Sequence, residues 1–330
     1  MTSALGNMRG VALILTILIV SLIVTVTLEF NRTMRSHVLS SAHVGQGLKA
    51  LCAAKSGVSC ALALLKEDDP GADTLFDDWA SREILGAISA GSRALFSGGH
   101  FELEIEDLAG KIQVNSLENE NLRIAFRRFL ELPEFGLEVE DAKGAVDSVM
   151  DWIDTEDDLL RLDGAEDDYY MSLERPYHCK NGPLDSPEEL LLVKGITKEL
   201  FYGTEETLGI GPYISVFGNG HININTADPK FPQSPPLVLR SLHEEMFLSE
   251  GMAEDMANYR AEAAEDELSS MGWYNQVLPE DIKLPHDIIA TSSNHFQITS
   301  VGHFGEITRR VVAVVERAAV GFKILSWKIG

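Results

Sequence analysis

The longest apolar segment of the chain lies near its N-terminus, where the eighteen residues from Val11 to Leu28 carry no charge. An α-helix rises about 1.5 Å per residue, so this segment would extend roughly 27 Å, close to the thickness of a bilayer's hydrocarbon core. The pattern therefore predicts a helix that spans a membrane.

Three kinds of N-terminal segment share this pattern: a cleaved secretory signal, a plain membrane anchor and a prepilin N-terminus. A secretory signal has an apolar core of about 7 to 15 residues followed by a small-x-small cleavage site. The apolar run is longer here, and it continues into Thr27-Leu28-Glu29-Phe30-Asn31-Arg32 without such a site. A prepilin has a short leader that ends in glycine, and residues 1–10 fit because Arg9 precedes Gly10. We favour a prepilin cut after Gly10 on the cytoplasmic side, with a plain anchor as the alternative.

Apolar residues continue at helical spacing beyond the predicted membrane segment. The stretch from Asn31 to Lys66 contains no proline. The spacing predicts one helix of about 55 residues, half in lipid and half outside, that ends at Glu67-Asp68-Asp69-Pro70-Gly71. Glycines at 45, 47 and 57 each cost a helix about 1 kcal/mol relative to alanine, so bends are expected there.

Alternating apolar and polar residues predict strands on both sides of the middle of the chain. Residues 100–114 alternate, and Ala109-Gly110-Lys111 offers a turn, so an antiparallel hairpin is expected there. Residues 296–301 and 309–316 predict a second hairpin, and residues 323–329 predict a last strand. A short amphipathic helix is expected around residues 82–95.

The middle of the chain, residues 117–293, has a helical pattern instead. Helices are expected at residues 118–129, 141–154, 186–193, 236–248 and 251–264. The fold class predicted is α+β, with a large all-helical insert inside a frame of one long helix and antiparallel strands.

Two local patterns stand out within that middle region. Residues 186–200 have the pattern helix, turn at Gly195, helix, which is typical of a helix-hairpin-helix unit. Residues 110–116 and 220–226 share a pattern in which a short strand leads to Asn115 or Asn225, each followed by Ser or Thr. Such side chains can cap the free amides at a helix start, so the Asn and the Ser or Thr of both segments are expected to be helix caps.

The net charge of the chain limits the kinds of molecule that it is expected to bind. The chain has 51 acidic and 27 basic residues and a formal charge of -24, which disfavours nucleic acid and anionic membrane surfaces. Helix-hairpin-helix units can hold a DNA backbone through amides at the glycine turn. The acidic surroundings make a small packing unit the better interpretation of residues 186–200. A membrane-anchored receptor for DNA or secreted proteins stays open as the alternative function, and it would need a basic face around residues 194–198.

Acidic residues are most concentrated between Asp151 and Asp168, where nine of eighteen residues are Asp or Glu and Arg161 is the single cation. Such crowded carboxylates either point into water or are drawn together by a hard cation such as calcium. An EF-hand starting at Asp154 would need glycine at its sixth position and glutamate at its twelfth, where the chain has Leu159 and Ala165. Both a solvated acidic loop and an irregular calcium site remain open.

No catalytic motif is present: the sequence lacks G-x-S-x-G, H-E-x-x-H and a phosphate-binding glycine loop. We therefore expect no catalytic residues and a protein that is not an enzyme. The three cysteines lack C-x-x-C spacing. Cys52 and Cys60 are too far apart on one helix to form a disulfide, since eight residues extend roughly 12 Å, and the state of Cys179 stays open.

Several sequence blocks together carry a resemblance to a known family. They run through the chain in the family's order: Arg9-Gly10 before the apolar helix, Asp151-Trp-Ile-Asp154, Gly164-Ala-Glu-Asp-Asp168-Tyr-Tyr170, Pro183-Leu-Asp-Ser-Pro187-Glu-Glu-Leu, Ile222-Asn-Ile-Asn225-Thr-Ala227 and Leu325-Ser-Trp327. The chain resembles protein K of the type II secretion system (general secretion pathway protein K), a family of large minor pseudopilins. The block from Gly164 to Tyr170 is the most specific part.

The resemblance implies a type IV pilin-like fold interrupted by a helical insert with helix-hairpin-helix or SAM-like units. The division it implies is a leader at 1–10, a transmembrane half-helix at 11–28, a first pilin-like part at 29–116, the insert at 117–293 and C-terminal strands at 294–330. Gly10 and Val11 would be the processing residues, with Val11 as the methylated mature N-terminus. Leu15 would be the fifth mature residue, where most pilins have Glu and protein K members characteristically do not.

The resemblance also implies a function and its partners. Members cap the periplasmic pseudopilus with the minor pseudopilins I and J, help initiate its assembly for protein export, and bind structural calcium in the insert. Expected partners are these pseudopilins, the prepilin peptidase, the inner-membrane assembly platform and secreted substrates, without nucleic acid. The expected location is the inner membrane of a Gram-negative bacterium, single-pass, with the N-terminus cytoplasmic and the bulk periplasmic. The expected calcium ligands are Asp154, Asp157, Asp158, Glu166, Asp167 and Asp168.

Overall fold

A computed structural model of the chain describes residues 8–156, 163–243 and 247–330. It begins with helix α1, Met8–Glu67, an unbroken α-helix of 60 residues, which confirms the predicted long helix. The glycines at 45, 47 and 57 lie within this continuous helix, so none of them interrupts it. From Gly10 to Gly45 helix α1 is exposed throughout, whereas one side of the part from Gly47 to Leu65 is buried.

Helix α2, Arg82–Leu95, coincides with the predicted amphipathic helix. Its N-cap is Ser81, whose hydroxyl accepts a hydrogen bond from the backbone N–H of Ile84 and so satisfies one of the free amides of the first turn. Strand β1, Gly99–Asp107, follows and has the predicted alternation of buried and exposed residues. Its backbone is tied to α2, because Phe101 N donates to Ser92 Oγ at 3.1 Å.

The middle of the chain is mostly helical, as predicted, but it also contains two small parallel sheets. Strand β2 pairs with β3, and strand β4 pairs with β5. In chain order the elements are β2 (Ile112–Gln113), α3 (Glu120–Leu130), α4 (Val139–Ile153), α5 (Asp167–Met171), α6 (Lys198–Tyr202), β3 (Ile214–Ser215), β4 (Ile222–Asn223), α7 (Leu237–Arg240), α8 (Glu250–Glu262), α9 (Glu265–Leu268) and β5 (Ile289–Ala290).

Two predicted helices are shorter or tighter than expected. The segment at 186–193 is a 3₁₀-helix, Pro187–Leu192, and the segment predicted at 236–248 contains only α7, with residues 244–246 outside the described ranges. The start of α7 is held by Asp228, whose carboxylate accepts hydrogen bonds from the backbone N–H groups of Val238 and Leu239. A cap that comes from a residue about ten positions away cannot be recognised from a local sequence pattern.

After the helical middle region, the chain forms its last three strands, β6 (His295–Phe304), β7 (Ile307–Arg317) and β8 (Phe322–Ile329), which build one sheet with β1. The strand order is β1-β6-β7-β8, and every neighbouring pair is antiparallel. The predicted C-terminal hairpin and last strand are thereby confirmed.

The predicted hairpin at 100–114 is wrong. Strand β1 pairs along its whole length with β6, from Gly99 opposite Phe304 to Asp107 opposite Phe296, and β2 pairs with β3 outside this sheet. The chain leaves the sheet after Asp107, whose carboxylate accepts a hydrogen bond from Ala109 N at 2.8 Å. The turn residues were recognised correctly, but they lead into the insert instead of back along β1.

Two separate hydrophobic cores explain this arrangement. One lies between α1 and the four-stranded sheet and contains Ala54, Val58, Phe101, Phe296 and Val311. The other contains buried residues from Ile112 to Ile289 only, among them the large aromatic side chains of Phe126, Trp152 and Trp273. The fold is thus α+β, with a long helix packed on an antiparallel sheet and a helical insert that has its own core.

A buried polar network joins the two parts. Arg317, at the end of β7, places Nη2 2.7 Å from Asp68 Oδ2 and Nη1 3.1 Å from Asp73 Oδ1. Asp73 Oδ2 also accepts a hydrogen bond from Ser293 N at 2.7 Å, and Asn223 Nδ2 donates to the carbonyl oxygen of Asp73 at 3.0 Å. The network therefore connects the end of α1, the sheet and the insert.

Candidate metal centre

Three carboxylates converge where α4 ends and α5 begins. Asp151 lies in the last turn of α4, Asp154 follows its end, and Glu166 immediately precedes α5. One oxygen from each lies within 4.8 Å of those of the other two. Asp151 and Glu166 are buried, with exposed fractions of 0% and 6%. Asp151 and Asp154 come together because residues three apart in a helix share one face.

Aromatic packing holds the segment that follows this cluster. The Trp152 and Tyr170 rings meet edge to face at 5.0 Å, and Tyr170 stacks on Tyr177 at 5.4 Å. The Tyr170 hydroxyl accepts a hydrogen bond from the backbone N–H of Lys194. Burial raises the pKa of Tyr170 above its ordinary value, so this hydroxyl stays protonated at physiological pH.

Lys194 stabilises the backbone just before Glu166. Its ammonium donates to the carbonyl oxygens of Asp163 and Gly164 at 3.2 and 3.1 Å and lies 5.2 Å from the centre of the Tyr169 ring. This cation is therefore used inside the insert, where it holds the loop that carries Glu166.

The structure brings together some of the expected ligands and separates others. Asp154 and Glu166 lie in the cluster, whereas Asp157 and Asp158 fall outside the described residues. Asp167 faces His178 Nδ1 at 3.0 Å and accepts a hydrogen bond from Cys179 N at 2.9 Å. Those contacts hold the pKa of Asp167 below its usual range. Asp168 is exposed.

Asp151 is the residue that sequence reasoning missed. It was counted among the acidic residues of the segment but not among the expected ligands. Its spacing of three from Asp154, at the end of a predicted helix, is the local signal that points to it.

The cluster offers hard oxygen donors. Calcium binds six to eight oxygens, chiefly from carboxylates and carbonyls, and three carboxylates held this close favour a cation because their like charges repel one another. Cys179 lies beside them, with Sγ 3.9 Å from the carbonyl oxygen of Asp151. Burial raises the pKa of its thiol to about 11, and Glu166 adds to the effect. The three clustered donors are all carboxylate oxygens, so the donor set fits calcium better than a thiophilic metal.

The first half of α1 is the second functional feature. Among the described residues, one helix is long and apolar enough to cross a membrane, and its apolar window makes no buried contact with the rest of the chain. Val11 and Leu15 are exposed on this part of the helix. Such an unpacked apolar surface suits lipid better than water.

Fold and features together define the class: a pilin-like protein with an apolar N-terminal helix and an inserted helical unit. The chain is similar to members of the type II secretion system protein K family, a family of minor pseudopilins. The model of this family, described as type II secretion system (T2SS), protein K, matches residues 104–210. The family is one of structural pseudopilins and not of enzymes.

Curated relatives carry the same family name. Type II secretion system protein K of Aeromonas hydrophila is 28% identical over 234 residues, which cover 67% of this chain and 68% of the relative. The protein of the same name from Pseudomonas aeruginosa is 26% identical over 330 residues, covering 95% of this chain and 90% of the relative.

The fold also matches a solved structure. A chain of the crystal structure of the GspK-GspI-GspJ complex from the type 2 secretion system of enterotoxigenic Escherichia coli superposes with a TM-score of 0.62. The two chains are 18% identical, and the match covers 90% of this chain and 99% of that one. At this identity the match supports the fold, which includes the long helix, the sheet and the insert.

Proposed function

We propose that this chain is the tip subunit of a periplasmic pseudopilus and that it helps to initiate assembly of the filament for protein export. Similarity to the protein K family supports a role in the type II secretion system. The observation that carries the tip position is Leu15. A glutamate in the apolar part of a helix is costly unless an opposite charge compensates it, and in a filament that charge would be the N-terminal amine of the subunit ahead. A subunit with leucine at this position needs no subunit ahead of it.

The proposed place at the tip of the pseudopilus also implies partners for the chain. The similar chain of known structure comes from a complex named GspK-GspI-GspJ, and we propose that the I and J pseudopilins of this chain's own system bind it at the tip. Prepilin peptidase would cut after Gly10, the inner-membrane assembly platform would receive the processed α1, and secreted substrates would meet the exposed insert. The chain would remain in the inner membrane with its bulk in the periplasm before assembly.

We further propose that calcium stabilises the insert through Asp151, Asp154 and Glu166. The cation would offset the repulsion between the three carboxylates and so hold the end of α4 to the start of α5. Asp157 and Asp158 remain proposed ligands from the sequence.

A DNA receptor is less well supported. A basic face around residues 194–198 would be needed, yet the Lys194 ammonium is directed to the carbonyl oxygens of Asp163 and Gly164 inside the insert. That leaves Lys198 as the other cation of the segment, in a chain with a formal charge of -24.

The tip position can be tested by labelling. An epitope on this chain, detected by gold-conjugated antibody on sheared pseudopili, should mark one end of each filament. Deletion of the chain should reduce the number of filaments, since initiation would be impaired. Labels distributed along the filament would contradict the proposal, and so would an unchanged number of filaments in the deletion strain.

A further inference from the structure

A second cluster of metal-binding side chains lies on the pilin-like sheet, far in sequence from the acidic segment. His100 on β1 and His303 on β6 are directly opposite each other in the antiparallel register. Glu102 follows His100 by two residues and therefore shares its face of the sheet. Gly302 and Phe101 face α1, so the cluster lies on the opposite, open face.

The three donor atoms converge. Glu102 Oε1 lies 3.9 Å from His100 Nε2 and 3.7 Å from His303 Nε2, and all three donor atoms lie within 4.8 Å of one another. The two imidazole rings are stacked, with centroids 4.5 Å apart and planes 10° apart. Both nitrogen-to-oxygen distances exceed a normal hydrogen bond. His303 Nε2 is buried and makes no hydrogen bond within the described ranges.

We propose that His100, Glu102 and His303 form a binding site for a divalent transition metal of the zinc class, with three protein ligands and one position open to water. Two imidazole nitrogens and one carboxylate are a donor set that zinc accepts, whereas calcium requires oxygen donors. Ligands about 2.0–2.1 Å from a tetrahedral zinc lie roughly 3.4 Å apart. Small side-chain rotations would therefore bring Glu102 Oε1 and the two histidine nitrogens to the spacing that zinc requires. The same rotations would turn the two imidazole rings out of their stacked arrangement.

Calorimetric titration with zinc chloride tests the site. The full-length chain in detergent is first saturated with calcium, so that zinc does not bind the carboxylates of the insert. We expect one zinc ion per chain, and the variants His303→Asn and Glu102→Gln should each weaken binding by tenfold or more, because each removes a ligand. Glu104→Gln, on the same strand and face, and His43→Asn, on α1, should leave the affinity unchanged.

Replacing Glu102 with a different metal-binding residue distinguishes a variant that has lost the metal site from one that has failed to fold. Glu102→His supplies a third imidazole and should retain zinc binding, while Glu102→Gln at the same position should not. Equal zinc affinity in the wild type, His303→Asn and Glu102→Gln would overturn the proposal. Failure of Glu102→His to bind zinc while Glu102→Gln binds it normally would do the same.

Discussion

Gly302 of β6 lies directly beneath Ala50 of α1, and a β-carbon on Gly302 would lie 1.9 Å from the carbonyl oxygen of Ala50. About two turns further along α1, a β-carbon on Gly57 would lie 2.1 Å from Ser300 Oγ. Helix and strand approach closely because small residues face each other along this line. The glycine at 57, which sequence reasoning took as a bend, instead permits close packing.

Enlarging Gly302 should therefore destabilise the pilin-like part. In Gly302→Ala the new methyl group would meet the backbone of α1, which cannot rotate away as a side chain can, so we expect a loss of about 1–3 kcal/mol or more. Chemical denaturation of the full chain in detergent measures it. Gly91→Ala is the matched control, because Gly91 lies in α2 with nothing within 4 Å of the added carbon. That variant should be neutral or gain up to about 1 kcal/mol, and equal effects of the two substitutions would contradict the packing argument.

The Asp73 carboxyl predicts a pH dependence of stability. Burial raises its pKa to about 8 despite Arg317, and Asp107 and Asp68 contribute in the same direction. Between pH about 4 and 8 the folded chain thus holds a proton that the unfolded chain has lost. The contribution to stability is complete below pH 4 and is lost as the pH rises through 8, with a slope of at most about 1.4 kcal/mol per pH unit for one proton.

Asp73→Asn tests this dependence, because the amide cannot ionise but retains an oxygen that can accept from Ser293 N. Unfolding free energies measured in EDTA from pH 5 to 8 should fall less steeply in the variant than in the wild type. Asp78→Asn, an exposed neighbour, should keep the wild-type slope. A parallel decline in all three proteins would show that Asp73 does not titrate as proposed.

Calcium should raise the melting temperature of the full chain, since it would bind the folded insert in preference to the unfolded one. Asp151→Asn should abolish most of this rise, because it removes a buried donor from the cluster. Asp168→Asn should leave the rise intact, since Asp168 is exposed outside the cluster. Differential scanning calorimetry with calcium or EDTA measures the rise in melting temperature for each variant. If both variants respond to calcium as the wild type does, the ion binds elsewhere or has no structural role.

The mature N-terminus should be a methylated Val11. Intact-mass and N-terminal peptide mass spectrometry of the chain from a strain with an active type II secretion system measures it. Gly10→Ile should block the cut because the leader would no longer end in glycine, while Gly6→Ile, within the same leader, should still be processed. A chain that keeps Met1 in the wild type would exclude prepilin processing and leave a plain anchor.

Local patterns predicted those elements whose causes are local. The long helix follows from apolar spacing without proline, and α2 follows from its amphipathic period and the capping Ser81. The β6–β7 hairpin is also local, because its two strands are joined by a short turn.

The roles of the two asparagines were predicted wrongly. Asn115 does not cap a helix: its amide donates to the carbonyl oxygens of Leu184 and Val216 and accepts from Leu184 N. Asn225 accepts from Trp273 Nε1 at 2.8 Å and donates to Leu268 O. Both side chains join distant segments of the insert, which a pattern of seven residues cannot reveal.

The sequence by itself determined the apolar N-terminal helix, the position of Gly10 at its start, and the acidic segment, because hydrophobicity, local spacing and charge are properties of neighbouring residues. The tertiary structure alone decided which strand β1 joins, how His303 comes to lie opposite His100, and why Asp151 and Glu166 lie close together while Asp167 turns to His178. These are contacts between residues far apart in the chain, and they depend on how two hydrophobic cores pack, the one between α1 and the sheet and the one inside the insert.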